Sequence, residues 1–211
     1  MPQDYSKQPA AYHGIKNTKY AMRGADGAKG TEVKSLPFAK SVGFDPTVEQ
    51  QPVYANDSKV LAIVSDNGYT GTVGTTGQDR TFETALGHIM PVDGGIADIN
   101  QLGFKRCDFY YEYQEETATG IKYTVKVWAL NVEFSKANKN HATDQNQATI
   151  GEYSYPITVY GDKIMDAAGT AVYKDAYGNE LTATRIISVP SDKTYTDFEK
   201  TVPTVKMASA T

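Results

Sequence analysis

The chain carries one cysteine, Cys107, in 211 residues, so no internal disulfide can staple it. Its three histidines, His13, His88 and His141, lie far apart, and no ligand spacing of the zinc type occurs. No metal or other cofactor is expected. Excess positive charge is absent as well: 21 Lys and Arg stand against 25 Asp and Glu, giving a net charge of −4 and a pI near 5.4. A duplex-coating protein needs the opposite sign to release counter-ions from phosphate, so that class is set aside. No apolar run approaches the ~20 residues that span a bilayer, and the mean hydropathy is −0.47. Residues 1–14 are polar, without an apolar h-region or a lipid-anchor motif. The expectation is a soluble protein that starts in the cytoplasm and does not insert into membranes.

What is abundant is strand chemistry: 15 Tyr and 7 Phe beside one Trp, 18 Gly, and many Thr and Val. At 23.0 kDa, one all-β domain is the default reading. Charge is split along the chain. Residues 1–43 hold seven bases, among them Lys16 and Lys19, against three acids, whereas residues 44–100 hold two bases against eight acids. Either this is a solvated surface with chance clustering, or it is head-to-tail self-association, in which a basic segment of one subunit meets an acidic segment of the next.

Residues 1–12 and the glycine-rich 24–30 (GADGAKG) read as irregular segments around a short strand at 15–22. Residues 44–58 (FDPTVEQQPVYANDS) contain Pro46, Pro52 and Asn56-Asp57, which interrupt a regular ladder and predict a long loop. Residues 59–65 (KVLAIVS) and 69–73 then read as a hairpin turning at Asp66-Asn67-Gly68. One helix is predicted over 79–90, with Phe82, Ala85, Leu86 and Ile89 on one face, Asp79 as its cap and Pro91 as its stop. Such a short helix is marginal in water, so its expected role is to cover a sheet.

Residues 109–134 are the most strongly patterned. Phe109, Tyr111 and Tyr113 alternate with polar neighbours, and the alternation resumes at Ile121, Tyr123, Val125 and Val127. Pairing Tyr113 with Tyr123 and Tyr111 with Val125 matches the apolar faces and puts the turn at 117–119, with Gly120 free to bulge. The apolar positions then move from odd to even numbers, at Trp128, Leu130, Val132 and Phe134, which predicts a bulge near Val127-Trp128. Residues 138–147 read as a polar loop, 152–160 as a strand with Pro156 at an edge or bulge, and 163–189 as two short strands about 175–179. Residues 191–211 look frayed, and both termini read as arms.

Chemistry is hard to find. GTVGTTG (71–77) precedes the helix, yet no Lys-Ser/Thr follows and Asp79 would repel an anion, so it reads as a strand end and loop. His88 has no nucleophile in a recognisable motif near it. Cys107 follows Arg106, but a half-buried small residue is the simpler reading. Glu115-Glu116 reads as a solvated pair before a turn, and Asp93-Gly94-Gly95 as a turn. With no catalytic constellation, an enzyme is not expected. Tyr111, Tyr113 and Tyr123 could form a platform that stacks on sugars, although alternation already assigns them to a packed sheet face.

Five stretches in order, YHGIKNTKYA (12–21), PVYANDS (52–58), SDNGYTGTVG (65–74), TFETALGHIM (81–90) with DGG (93–95), and KYTVKVWALNVEF (122–134), resemble the major tail, or tail-tube, proteins of bacteriophages with long non-contractile tails. The resemblance spans roughly residues 12–165 and leaves 166–211 unmatched. It implies a mainly β fold, a sandwich or half-barrel with one short flanking helix, a long inter-ring loop and extended termini. It divides the chain into a tail-tube domain, 1–165, with its N-terminal arm and stacking loop (44–58), and C-terminal strands and arm, 166–211, in the same domain. It also implies a structural virion protein of the tail, assembled in the host cytoplasm as stacked hexameric rings through which DNA is ejected. Its partners would be copies of itself, the tape-measure protein, the tail terminator and distal tail proteins, with double-stranded DNA in transit. On this reading Asp45, Pro46, Val48, Glu49, Pro52, Tyr54, Asn56 and Asp57, with Lys16 and Lys19, make inter-ring and inter-subunit contacts, while Glu112, Gln114, Glu116, Lys122 and Lys126 face the lumen. The alternatives are a carbohydrate-binding β-sandwich module and the tube subunit of a contractile secretion system.

Overall fold

The computed structural model describes residues 10–55, 58–100, 103, 105–139 and 152–207. In chain order the elements are β1 (Ala10–Met22), β2 (Lys34–Ser35), β3 (Ala39–Ala55), β4 (Ser58–Thr75), α1 (Arg80–Leu86), β5 (Ile89–Val92), β6 (Gly95–Asp98) and β7 (Arg106–Thr117). They continue with β8 (Lys122–Phe134), β9 (Asn138–Lys139), β10 (Tyr153–Val159), β11 (Asp162–Lys163), β12 (Thr182–Ala183) and β13 (Arg185–Ser188). The fold is mainly β with one short helix, and its strands pair antiparallel. One large sheet runs in the order β2-β1-β7-β8-β10-β4-β3, with β13 added to β8 and β9 to β10. The sheet curls, because Ile15 from β1 and Val42 and Phe44 from β3 pack against one core although their strands lie far apart in the order. It does not close into a barrel.

The β7–β8 hairpin sits at the centre and is buried on both faces. One face carries Cys107, Phe109 and Tyr111 with Tyr123, Val125, Val127, Ala129, Val132 and Phe134. The other carries Tyr110, Trp128 and Leu130. Tyr113 pairs with Val125 and Tyr111 with Val127, two residues from the expected register. The faces are preserved because side chains alternate with period two. The slip comes from the loop. Residues 118–120 separate Thr117 from Ile121, whose carbonyl accepts from the Thr117 N–H at 2.9 Å, and Gly120 takes φ +80. The bulge also falls later than expected, since Cys107 opposes Val132 while Phe109 opposes Ala129. The extra residue lies at Leu130-Asn131, where Asn131 has φ +54 and its N–H donates to Asp108 Oδ1 at 2.9 Å.

The long loop expected at 44–58 is instead most of β3, and the hairpin expected at 59–73 is the single strand β4. Asp66-Asn67-Gly68 is a bulge rather than a turn. Pro46 opposes Tyr69 and Val48 opposes Asp66, so β4 gains one residue there, with Gly68 at φ +85 and its N–H donating to Asp66 Oδ1 at 3.0 Å. Pro46 and Pro52 are tolerated because β3 is the edge of the sheet, where outward N–H groups have no ladder partner. Gly71 is required lower in the same hairpin, since a Cβ there would strike the Gly43 carbonyl oxygen. Pro156 is not on an edge strand: its carbonyl accepts from Ser135 N at 2.8 Å, just where β10 passes from β8 to β9.

α1 is shorter than expected. Asp79 caps it by accepting from Thr81 N at 2.9 Å and Phe82 N at 3.1 Å, and Gly87 in the left-handed region ends it, so Ile89 belongs to β5 and Pro91 is not the stop. Its inner face is Phe82, Leu86 and, partly buried, Ala85; Phe82 meets Tyr20, Phe134 and Tyr155 at ring separations of 4.6, 5.1 and 6.0 Å. Replacing Asp79 by alanine is expected to cost about 1 kcal/mol in urea denaturation, the usual loss of an N-cap. Asp93-Gly94 makes the tight β5–β6 turn, as expected, with Gly94 at φ +83.

Residues 191–207 are not frayed. Phe198 and Val205 are buried against Tyr110, Trp128 and Leu130 together with Ile164, Ile186 and Val202. The Trp128 indole N–H donates to the Phe198 carbonyl at 2.7 Å, and Tyr195 Oη donates to the Thr124 carbonyl at 2.9 Å. This segment therefore covers the second face of the central hairpin, opposite the helix.

Candidate functional site

Two surfaces carry the residues singled out by sequence. The first is the outer part of the β3–β4 hairpin. β10 accompanies β4 only from Thr75 to Tyr69, so the ladder from Val48–Asp66 to Ala55–Ser58 has no third strand beside it among the described residues. Eight residues at ~3.3 Å each extend it by roughly 26 Å. Asp45, Pro46, Val48, Glu49 and Pro52 are exposed, Val48 to 51%. Tyr54 opposes Lys59 near the tip, and Asn56 and Asp57 lie outside the described residues. Asp45, Glu49 and Asp66 are exposed and make no ion pair among the described residues. The ribbon can meet another chain through backbone, apolar and acidic groups.

The basic N-terminal segment is not its free counterpart within the chain. Lys19 Nζ is 2.9 Å from Glu199 Oε2, Lys29 Nζ is 3.1 Å from Asp162 Oδ2, Lys34 pairs with Glu32 at 3.2 Å, and Lys40 pairs with Glu152. Lys16 donates to Thr124 Oγ1 at 3.2 Å. Arg23 is committed to Asp108 at 2.5 Å and Asp162 at 2.7 Å. Burial works against the Arg23 charge, yet the two carboxylates outweigh it and raise its pKa further.

The second surface is the polar stretch of β1, β7 and β8 on the side away from the helix. Here lie Glu112, Gln114, Glu116, Lys122 and Lys126, the residues that the resemblance assigns to a lumen. Gln114 and Glu116 are half-buried and Lys122 is exposed. Glu112 and Lys126 are only 6% and 8% exposed, because residues 195–199 lie over them. Glu112 accepts from Tyr110 Oη and Asn17 Nδ2, both at 2.7 Å, and Lys126 donates to the Tyr195 carbonyl at 3.0 Å. Glu199 and Tyr195 had no signal in the sequence, since the segment that carries them has no periodicity.

Neither His88 nor Cys107 is placed for chemistry. His88 is buried with Nε2 2.9 Å from the Phe134 carbonyl, and burial lowers its pKa. Burial raises the Cys107 thiol far above its ordinary value, which leaves it protonated and unreactive. Among the described residues no group of three or more His, Cys, Asp or Glu could hold a metal ion. Glu83 is buried in α1 and satisfied by Tyr155 Oη at 2.9 Å, Lys139 Nζ at 3.4 Å and Gln78, which makes it a core anchor. Tyr111 and Tyr123 are buried in the core, and the half-buried Tyr113 lies between Tyr111, 6.2 Å away between ring centroids, and the exposed Tyr12 at 5.7 Å.

No protein-family model matches the chain, and no curated protein matches it. Among solved structures, a chain of the anti-feeding prophage baseplate, determined by cryo-electron microscopy with six-fold symmetry, is similar over 72% of this chain and 92% of that one, with a TM-score of 0.42 and 6% identity.

Proposed function

We propose that this chain is a structural protein of a bacteriophage tail, the subunit of a tail tube built from stacked hexameric rings. The observation that carries this reading is the two-stranded outer ribbon of β3 and β4, which projects past its own sheet. A lone ribbon is marginal in water, and its sequence is rich in apolar residues (VYA, KVLAIVS), so a second chain is its natural support. The five stretches that resemble major tail proteins lie on β1, the β3–β4 hairpin, α1 with the β5–β6 hairpin, and β8. In this role the ribbon replaces the expected stacking loop, with Asp45, Pro46, Val48, Glu49, Pro52, Tyr54, Asn56 and Asp57 at the ring-to-ring contact. Gln114, Glu116 and Lys122 face the lumen. Residues 1–165 and 166–211 act as one domain, the later part backing the central hairpin. The partners are other copies, a tape-measure protein and the terminator and distal tail proteins at the two ends, and DNA passes through the channel. The protein is not an enzyme and uses no cofactor; it is assembled in the host cytoplasm and resides in the virion tail.

Negative-stain electron microscopy across a concentration series, with light scattering alongside, tests the reading. Rings or hollow tubes that lengthen with concentration are expected. A monomer at every concentration, with or without a tail initiator complex, that binds sugars on a glycan array would replace this reading by the carbohydrate module.

A further inference from the structure

The polar face of β1, β7 and β8 has a charge order that the residue list alone hides. On the central strand β7 stand Glu112 and Glu116; on the strands to either side stand the cations. Glu112 is flanked in register by Lys16 of β1 and Lys126 of β8, and Glu116 is opposed by Lys122. Between these two rungs, Gln114 lies between His13 and Thr124. One oxygen, Glu116 Oε2, is 3.1 Å from His13 Nε2 and 3.5 Å from Lys122 Nζ. Lys16 Nζ is held by Thr124 Oγ1, Lys126 Nζ by the Tyr195 carbonyl, and Lys19 Nζ by Glu199. Among the described residues each of these lysines has a partner from its own chain, a carboxylate for Lys19 and Lys122 and a neutral oxygen for Lys16 and Lys126.

We propose that Glu116 neutralises Lys122 beside it, as Glu199 does Lys19, and that this local pairing, together with the capping of Lys16 and Lys126 by neutral oxygens, lets duplex DNA pass without being held. The inference rests on the tube reading for its location in a channel, and on the cross-strand pairs for its mechanism. A lysine gains affinity for phosphate by releasing counter-ions from DNA. A lysine already paired with a carboxylate must first give up that pair. Repeated around a ring, the difference between a paired and an unpaired lysine is multiplied by the number of subunits, so Glu116 is the residue on which the balance depends most.

The test measures retention of double-stranded DNA by subunits coupled densely to beads, between 50 and 200 mM salt, on the order of the range over which phosphate contacts weaken steeply. Glu116→Gln is expected to raise retention at low salt about tenfold and to steepen the salt dependence by about one unit per freed lysine. Glu116→Gln with Lys122→Gln should return to the wild-type level. Gln114→Lys, which adds a cation without touching any pair, should gain retention as Glu116→Gln does and guards against a folding defect in that variant. No gain in either single variant, or a double variant that holds DNA as strongly as Glu116→Gln, overturns the proposal even where wild-type tubes form normally. A wild type that never assembles removes the channel itself, and that outcome is read separately by microscopy of the same preparations.

Discussion

Replacing Arg23 by methionine should lower the unfolding free energy by about 3–5 kcal/mol, the usual cost of stripping a buried carboxylate of its partner. The Arg23 side chain is 6% exposed and that of Asp108 not at all. Its guanidinium reaches Asp108 Oδ1 through Nη2 and, at 3.1 Å, through Nε, and Nη2 also reaches Asp162. These contacts tie β1 and β7 to β11, the start of the segment that covers the second face. Methionine keeps the stem's volume but leaves Asp108 with only the Asn131 N–H. Urea denaturation measures the loss, and a loss below about 1 kcal/mol, the level of an exposed pair, would show that the cluster does not behave as buried. Arg23→Met with Asp108→Leu should recover part of the loss, because an apolar replacement of both partners removes the stranded charge.

The same cluster sets a pH dependence whose sign follows from its two carboxylates. Burial works to raise the Asp162 carboxyl, but hydrogen bonds from Arg23 and Lys29 outweigh it and hold the group below its ordinary range. Its contribution to stability is therefore present above the unfolded value of about 3.9 and is lost as pH falls through the lower folded value. Burial pushes Asp108 the other way, above its ordinary range, against the hydrogen bonds from Arg23 and Asn131. A raised carboxyl favours the folded state on the acid side and gives up that advantage as pH rises through the folded value. Without Arg23 the depression of Asp162 weakens to what Lys29 alone supplies, and Asp108 protonates more readily. The gap between wild type and Arg23→Met should thus narrow as pH drops, first through the raised Asp108 value above about 3.9 and then below about 3.9 as Asp162 loses its contribution.

What the sequence makes legible here is what alternation can encode. The two faces of residues 109–134 survive a two-residue slip, because a shift by a full period leaves every side chain on its side. The cap at Asp79 is legible because it needs only one oxygen three residues from Phe82. The β3–β4 hairpin is not legible, because Pro46, Pro52 and Asp66-Asn67-Gly68 are the residues that turns use, and only the position of β3 at the sheet edge lets prolines and a bulge stand in a ladder. The odd-to-even change at Trp128 has a second cause that sequence cannot supply. Trp128 and Leu130 point to the far face because a partner waits there, and that partner, Phe198 and Val205, consists of isolated apolar residues in a polar stretch. For the same reason Glu112 and Lys126 read as open groups while residues 195–199 cover them. Lys19 reads as available for another subunit although Glu199, 180 positions away in sequence, already holds it.

Excising residues 48–66 and joining Thr47 to Asn67 through an Asn-Gly turn should abolish tube growth while leaving the subunit folded. The cut falls beyond the last β4 residue that β10 supports, so the ladder from Ala39 to Pro46 and both cores are untouched. A melting temperature within a few degrees of wild type is expected, about the shift of a sub-kilocalorie change in a domain of this size. The ribbon's apolar residues each offer about 1.5–3 kcal/mol when fully buried, and a ring repeats that contact with every subunit, so its loss removes most of the drive for stacking. Replacing Glu49 and Asp57 by lysine is the milder form of the experiment: it should slow growth and change its salt dependence, since acidic groups at a contact steer association most at low ionic strength. Light scattering follows both, and electron microscopy tells rings from tubes. Rings without tubes in the shortened chain would assign the ribbon to stacking alone. Tubes of normal length would mean that the projecting ribbon is not the contact that joins one ring to the next.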